Sequence, residues 1–440
     1  MRSLLVLCLL CAPLRADEDA ATATPAAAAA EEAVPVDNER ISYEGSQLLK
    51  VTAPSEDKIE ALEKLLDMEG VETWLRAATN ISSVDVLVKP ESSDRVKRYL
   101  DVNGLAFDVI IDNLQAAIET ENPSISQEEM QELEGRKGHR MTWQAYHRLA
   151  DIYGYLDYLS QTYSRFVSVQ TIGSSVEGRP LRVVKISSGR PNSPAIWIDG
   201  GIHAREWISP ASVTYIINEL TENQDAHGEA VRNVDWYILP VLNPDGYEYS
   251  HRVDRLWRKN RKGSGRCAGT DLNRNFGYKW GGAGSSKEPC KEIYAGTGPF
   301  SEPETSALSN FVQGLRGSLK AYVSFHSYGQ YILHPWGYAR GSPPDQADLS
   351  RVGKKMANAM RQAGGASYTV GGAASTLYPA SGGSDDWARG VANIKYTYTI
   401  ELRDRGYYGF ILPAHLIVPV AREALAAVKT ISSEITAPSS

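Results

Sequence analysis

From residue 141 onward, apolar runs of strand length alternate with stretches of helical period. "LRVVKISS", "PAIWIDG", "VDWYILPVLNPDG", "LKAYVSFHS" and "IKYTYTIELRD" read as strands. "ISPASVTYIINELTEN", "SEPETSALSNFVQGL", "DLSRVGKKMANAMRQAG" and "PAHLIVPVAREALAAVKTISSEI" read as helices. Strands this apolar must be covered on both faces. The alternation therefore predicts an α/β domain, a mixed, mostly parallel sheet flanked by helices, over 141–440. In such sheets ligands gather beyond the carboxyl ends of the strands. His203, Asn243, His326 and Glu401 each stand at or just past such an end.

The preceding segment is built differently. "QLLKVTA", "VETWLRA", "SVDVLVKP" and "AFDVIID" are strand-like, and "SEDKIEALEKLLDMEG" and "SSDRVKRYLDVNG" are capped helical patterns. The order β-α-β-β-α-β over 41–112 predicts a ferredoxin-like α+β domain. A polar, helical connector follows over 113–140. It ends in "EGRKGHRMTW", where Arg136, Lys137 and Arg140 are exposed targets for a trypsin-like protease. Charge changes sign at this boundary. Residues 17–140 hold 12 basic and 27 acidic side chains, residues 141–440 hold 32 and 26. The acidic segment is either a solvated tail or a complementary partner held against the mildly basic part.

"MRSLLVLCLLCAPLRA" has the basic start, short apolar run and small residues of a secretory signal, with cleavage after Ala16. A buried N-terminal strand is the alternative. Residues 17–40 are a low-complexity acidic segment. Of the four cysteines, Cys8 and Cys11 leave with the signal. Cys267 and Cys290 are then expected to form a disulfide in an oxidising compartment. No very long apolar run and no basic stripe occurs, so neither a membrane span nor a nucleic-acid surface is expected.

The stretch "DGGIHAREWISP" leaves a strand, turns through two glycines and presents His203 and Glu206. Metal binding is one reading, and a capped loop with a satisfied histidine is the other. A catalytic zinc takes three protein ligands and keeps one position open. His203 and Glu206 offer two, and His326 in "SFHSYGQ" offers the third. Asp271 is placed to orient a ligand histidine through its other nitrogen. His147, in a helical pattern, and His227, His251, His334 and His415 are less suited. Glu401 ends an apolar strand, where it is either a proton shuttle beside the metal or the partner of Arg403 or Arg405. Arg258 and the pair Asn273 and Arg274 lie on irregular segments and suit a carboxylate or an oxyanion.

Taken together, "HAREW", "RLWRKNR", "DLNRNF", "HSYGQ", "LYPASGGSDDW" and "TIELRDRGYYGFILP" closely resemble the pancreatic-type zinc carboxypeptidases of the A/B group. The resemblance spans 141–440 and extends to the prodomain, which in that family is an inhibitory segment released by trypsin. It implies Zn2+ held by His203, Glu206 and His326, with Asp271 behind His203. It implies Glu401 as general base and acid, and Arg258 as the group that polarises the carbonyl. Asn273, Arg274 and Tyr378 would grip the substrate's terminal carboxylate. Arg205, Tyr328 and Phe410 would form subsites, and Cys267–Cys290 would be the disulfide. Cis peptide bonds are implied before Tyr328, Trp336 and Asp404. Asp385 in "SGGSDDW" departs from the A type, which carries an apolar residue at the pocket floor, and matches the B type, which removes Lys or Arg.

The expectation is thus a secreted, monomeric zymogen of a zinc exopeptidase with B-type preference, its partners being peptide C-termini, an activating protease and its own prodomain. An A-type enzyme releasing aromatic or aliphatic residues is the first alternative, and a non-catalytic homologue the second. Asn80 in "NIS" is a candidate glycan site.

Overall fold

The computed structural model describes residues 40–76, 83–228, 232–265 and 267–437. The signal segment, the low-complexity segment and Asn80 lie outside them. Among the described residues no helix is long and apolar enough to cross a membrane.

The first part is a four-stranded antiparallel sheet of β1 (Gln47–Thr52), β2 (Val71–Arg76), β3 (Ser83–Val88) and β4 (Ala106–Ile111), in the order β2-β3-β1-β4. Helices α1 (Ile59–Leu66) and α2 (Ser93–Asn103) join them, giving the expected β-α-β-β-α-β unit. Alternation along β1 and β3 explains the layering. Leu49, Val51, Val84 and Val86 pack with Leu62, Leu65, Val96 and Leu100 of the two helices. Leu48 and Leu87 point the other way and join a cluster with Leu256, Tyr328 and Phe410 of the larger part. Both faces of this small sheet are therefore buried, one by its own helices and one by the rest of the chain. The connector folds as α3 (Leu114–Glu121) and α4 (Gln127–Lys137). Arg136 and Lys137 thus sit in the last helical turn rather than in an open loop.

The larger part holds eight strands. These are β5 (Val167–Ser174), β6 (Pro180–Ile186), β7 (Ala195–Asp199), β8 (Asp235–Leu239), β9 (Leu319–His326), β10 (Tyr331–His334), β11 (Thr369–Gly372) and β12 (Tyr396–Glu401). Their order is β11-β10-β12-β9-β7-β8-β6-β5. The central strands β12, β9, β7 and β8 run parallel, and β10, β6 and β5 bring the antiparallel pairings. Period two sorts the core into two halves. Ile196, Ile198, Val323 and Phe325 pack with α5 (Leu149–Thr162), α6 (Ile208–Thr221), α9 (Gln346–Gly364) and α12 (Ile417–Thr436). Trp197, Tyr237, Leu239 and Tyr322 pack on the opposite face, with α8 (Pro303–Gly314) and α11 (Ser384–Gly390). Among the described residues the remaining α-helices are α7 (Pro244–Arg252) and the short α10 (Ala373–Thr376).

Two local readings differ from the structure. The run "VDWYILPVLNPDG" stops as a strand at Leu239, because Pro244 opens α7 with Asn243 as its side-chain cap. His147 precedes α5 instead of lying within a helix, and its Nε2 accepts from Thr142 N at 3.1 Å.

Candidate active site

Two glycines carry the chain from β7 to His203. A Cβ on Gly200 would sit 2.8 Å from Ser209 Oγ and 2.9 Å from Val213, and one on Gly201 2.9 Å from Pro210. Gly201 also has φ +64. Only bare backbone passes between the strand ends and the start of α6, which is why the turn is Gly-Gly. The tip then returns on itself, with Glu206 N donating to His203 O at 3.3 Å. His203 and Glu206 consequently face the same point.

His326 reaches that point from the end of β9. His203 Nδ1 lies 2.8 Å from Glu206 Oε1, and His326 Nδ1 lies 3.2 Å from His203 Nδ1 and 3.3 Å from Glu206 Oε2. All three residues are buried and their donor atoms fall within 4.8 Å of one another. Two nitrogens each about 2.0–2.1 Å from a tetrahedral zinc stand about 3.3 Å apart, so this donor set fits the ion. Burial opposes ionisation of Glu206, yet His203 and His326 hold its carboxyl below the usual range. Three convergent ligands, one of them anionic, are a metal site and not a satisfied loop histidine.

The far side of each histidine is also fixed. His203 Nε2 meets Asp271 Oδ1 at 3.2 Å, and Asp271 Oδ2 accepts from Arg258 Nε and Nη2 at 3.2 and 2.9 Å. One carboxylate thus sets the orientation of both His203 and Arg258. Burial works against its charge, but Arg258, Arg274 and His203 keep Asp271 well below the usual carboxylate range. His326 has an indirect counterpart that the sequence did not disclose. Its Nε2 meets Ser324 Oγ at 3.1 Å, and that hydroxyl donates to Asp199 Oδ1 at 2.6 Å. Trp197 Nε1 donates to the other oxygen of Asp199 at 2.7 Å. This chain fixes the tautomer that leaves His326 Nδ1 free for the metal. In the sequence only its strand-end position marks Asn243. Its Nδ2 donates to Ile202 O at 3.2 Å and Lys259 O at 3.0 Å, tying the His203 turn to the Arg258 segment.

A cleft opens over these groups. His203, Glu206, Arg258, Asn273, Arg274, His326, Tyr328, Tyr378, Asp385, Glu401 and Phe410 all line it. Glu401 stands opposite His326 in the parallel β9–β12 register. Burial pushes its carboxyl up to about 7, with His326 opposing. It is not the partner of Arg403, which bonds to Glu423. Arg274 is buried, with Nε donating to Gly284 O at 2.8 Å, and Asn273 Oδ1 accepts from Ser384 N at 2.9 Å. Asp385 lines the cavity at 6 % exposure, while its neighbour Asp386 is taken up by Gly337 N and Tyr338 N, both at 2.8 Å. Tyr378 is 38 % exposed, on the segment after α10. Cys267 and Cys290 form the disulfide. The peptide bonds preceding Tyr328, Trp336 and Asp404 are cis.

The small sheet lies on the mouth of this cleft. Trp74 and Leu75 of β2 are among its lining residues, and Trp74 packs 4.9 Å from the Phe410 ring. Glu72 Oε1 accepts from Arg205 Nη1 at 2.5 Å, so Arg205 is engaged by the small domain and stands outside the cavity lining. Asp85 Oδ2 accepts from Tyr328 Oη at 3.0 Å. Glu121 of α3 pairs bidentately with Arg255 at 2.5 and 2.9 Å.

Comparison with known proteins agrees with this geometry. The family described as zinc carboxypeptidase matches residues 152–427, and the carboxypeptidase activation peptide matches residues 49–121. The chain is 43% identical over 296 residues to carboxypeptidase B of Astacus astacus, covering 67% of this chain and 98% of that protein. It is 39% identical over 398 residues to carboxypeptidase A1 of Bos taurus, covering 88% and 93%. Among solved structures, thrombin activatable fibrinolysis inhibitor superposes with TM-score 0.78 at 34% identity, covering 89% of this chain and 99% of that one. Carboxypeptidase A from Helicoverpa armigera superposes with TM-score 0.80 at 28% identity, covering 91% and 100%.

Proposed function

The chain belongs to the zinc carboxypeptidase family, and on that premise we propose that it is the zymogen of a B-type enzyme that removes C-terminal Lys or Arg. Asp385 carries the preference. It is a buried carboxylate lining the cleft, beside a second buried carboxylate, Asp386. Burial pushes both carboxyls above their ordinary value. Asp386 is taken up by two backbone donors, whereas Asp385, though also met by Thr399 and backbone N–H groups, lines the cavity, where an incoming cation would balance its charge.

Zinc bound by His203, Glu206 and His326 supplies a Lewis acid that polarises the carbonyl and acidifies a water. Arg274, Asn273 and Tyr378 take the free terminal carboxylate, which makes the enzyme an exopeptidase. Glu401 removes a proton from the attacking water and passes it to the departing amine. Arg258, held by Asp271, stabilises the developing oxyanion. Arg205, Tyr328 and Phe410 contact residues further from the C-terminus. In the zymogen the activation peptide covers these positions, and a trypsin-like protease releases it. The leader segment and the disulfide support secretion, and we read the protein as a monomer.

An A-type reading keeps the chemistry and releases aromatic or aliphatic residues. It needs Asp385 to pair within the protein, with the Thr399 hydroxyl and neighbouring backbone N–H groups, and not with the substrate. Matched peptides ending in Arg, Lys, Phe and Leu separate the two, assayed before and after trypsin and with a zinc chelator. Release of Arg and Lys alone, after trypsin and without chelator, is the expected result. Preference for Phe or Leu would remove Asp385 from the specificity pocket.

A further inference from the structure

The connector carries three basic residues within five positions, but they are not equivalent in the fold. Helix α4 is tied at its start by a capping box between Ser126 and Glu129. It buries no residue of its own. Arg136 and Lys137 occupy its exposed last turn, and Gly138 ends it at φ 77. A helix with no buried residue is held mainly by its own hydrogen bonds and caps, and it opens readily.

The chain changes character at His139. This residue is 6 % exposed, between the rings of Tyr155 and Tyr158 at 4.7 and 4.8 Å. Its Nδ1 accepts from Met141 N at 3.1 Å, and Nε2 faces the Glu222 carboxylate at 3.9 Å. Gly138 lies so close to Tyr158 that a Cβ there would stand 3.1 Å from the ring. Met141, 2 % exposed, joins the main core, and Trp143 packs edge-on against Tyr155 and Tyr215. Arg140 is exposed, but it is flanked by two buried residues and its Nε donates to Glu134 Oε2 at 2.8 Å.

A protease must hold several residues on each side of the scissile bond in extended form, so burial of the flanks decides accessibility more than exposure of the basic residue. Cutting Arg136–Lys137 needs the end of α4 to fray and leaves two residues, Lys137 and Gly138, between the bond and buried His139. Cutting Lys137–Gly138 leaves only Gly138 between the bond and His139, and so disturbs the anchor more. Cutting Arg140–Met141 requires both His139 and Met141 to leave the core.

We propose that His139 is an anchor that directs activation to the Arg136–Lys137 bond and protects Arg140–Met141. Hydrolysis there consumes one water and leaves a carboxylate on Arg136 and an amine on Lys137. The new N-terminus stays docked on the enzyme through His139, while everything upstream of Lys137 is severed from it. The inference rests on the zymogen reading above, but its test reads the cut position and not peptidase activity.

The test treats the full-length precursor with limiting trypsin and follows the products by intact mass and N-terminal sequencing. The first new N-terminus is expected at Lys137. Arg140→Gln is expected to convert at the unchanged rate, and the double variant Arg136→Gln/Lys137→Gln to resist conversion. His139→Ala is expected to raise cutting at Arg140–Met141 at least about tenfold, because cleavage follows the population of the opened segment. A first N-terminus at Met141, or a block by Arg140→Gln, overturns the proposal. Those two exposed-site variants decide it even if His139→Ala fails to fold. A wild-type product beginning at Gly138, with Arg136→Gln converting normally, overturns the choice of bond.

Discussion

The floor and the mouth of the cleft are held by different partners. On the floor, the polar groups satisfy one another within the catalytic part: Asp271 with His203 and Arg258, and Ser324 and Asp199 with His326. At the mouth, Arg205, Tyr328 and Phe410 take their contacts from the activation peptide, through Glu72, Asp85 and Trp74. In the proposed mechanism the chemical groups are therefore in place before activation, and latency is a matter of access. On that reading His203, Glu206, His326 and Glu401 need no rearrangement for the enzyme to become active. It needs its lid to leave.

Substitutions that affect one region and spare the other sharpen this contrast. The largest effect is expected on the floor. Glu401→Gln should lower kcat by about 10²–10⁴-fold, with unchanged retention of the cut activation peptide, read by diluting the nicked complex. Unchanged turnover would dismiss Glu401 as the base. Next, Asp385→Leu should cost about 100-fold or more in kcat/KM for peptides ending in Arg, while raising it for Leu, in side-by-side peptide assays. At the mouth, Trp74→Ala should speed loss of the cut peptide by about 30-fold, the scale of a buried aromatic anchor, with kcat after full release unaltered. If kcat fell as well, the two regions would not be separable. Ser324→Ala should weaken zinc retention by about 10–100-fold, measured as metal content after dialysis against a graded chelator. The smallest change is expected from Glu72→Gln, at most about fivefold in peptide release, because the Glu72 side chain is 34% exposed.

Sequence pattern and structure diverge at identifiable places. The buried central strands β7, β9 and β12 are legible as continuous apolar runs, and their ends point to His203, His326 and Glu401. The edge strands β5 and β11, and β10 beside β11, escape notice for physical reasons. β5 is only partly buried along its length, and β10 and β11 are 4 residues each, too short to show a period. The direct ligands are legible because a histidine and a glutamate three apart stand out after a glycine turn. Their support is not. Asp199 reads as an ordinary turn residue in "WIDG", since its partner Ser324 is 125 positions away. Arg205 likewise gives no sign that its partner in the zymogen is Glu72, 133 residues earlier. The anchor at His139 was hidden among the basic residues around it, because the rings that enclose it belong to α5.

The pairing of β9 with β12 has a consequence for how such enzymes diversify. His326 and Glu401 are neighbours because two parallel strands are hydrogen-bonded in one register, from Tyr396 opposite Ala321 to Glu401 opposite His326. The spacing of ligand and base is thus inherited from the sheet and owes nothing to the loops. The cleft-lining residues Ala373, Leu377, Tyr378 and Asp385, to which the proposed function assigns substrate choice, come from a separate segment beyond β11 and before β12. On that proposal taste and reactivity are modular in this chain. Grafting in 373–385 is then expected to change which residue is removed, and a single-residue slip between β9 and β12 to abolish removal altogether.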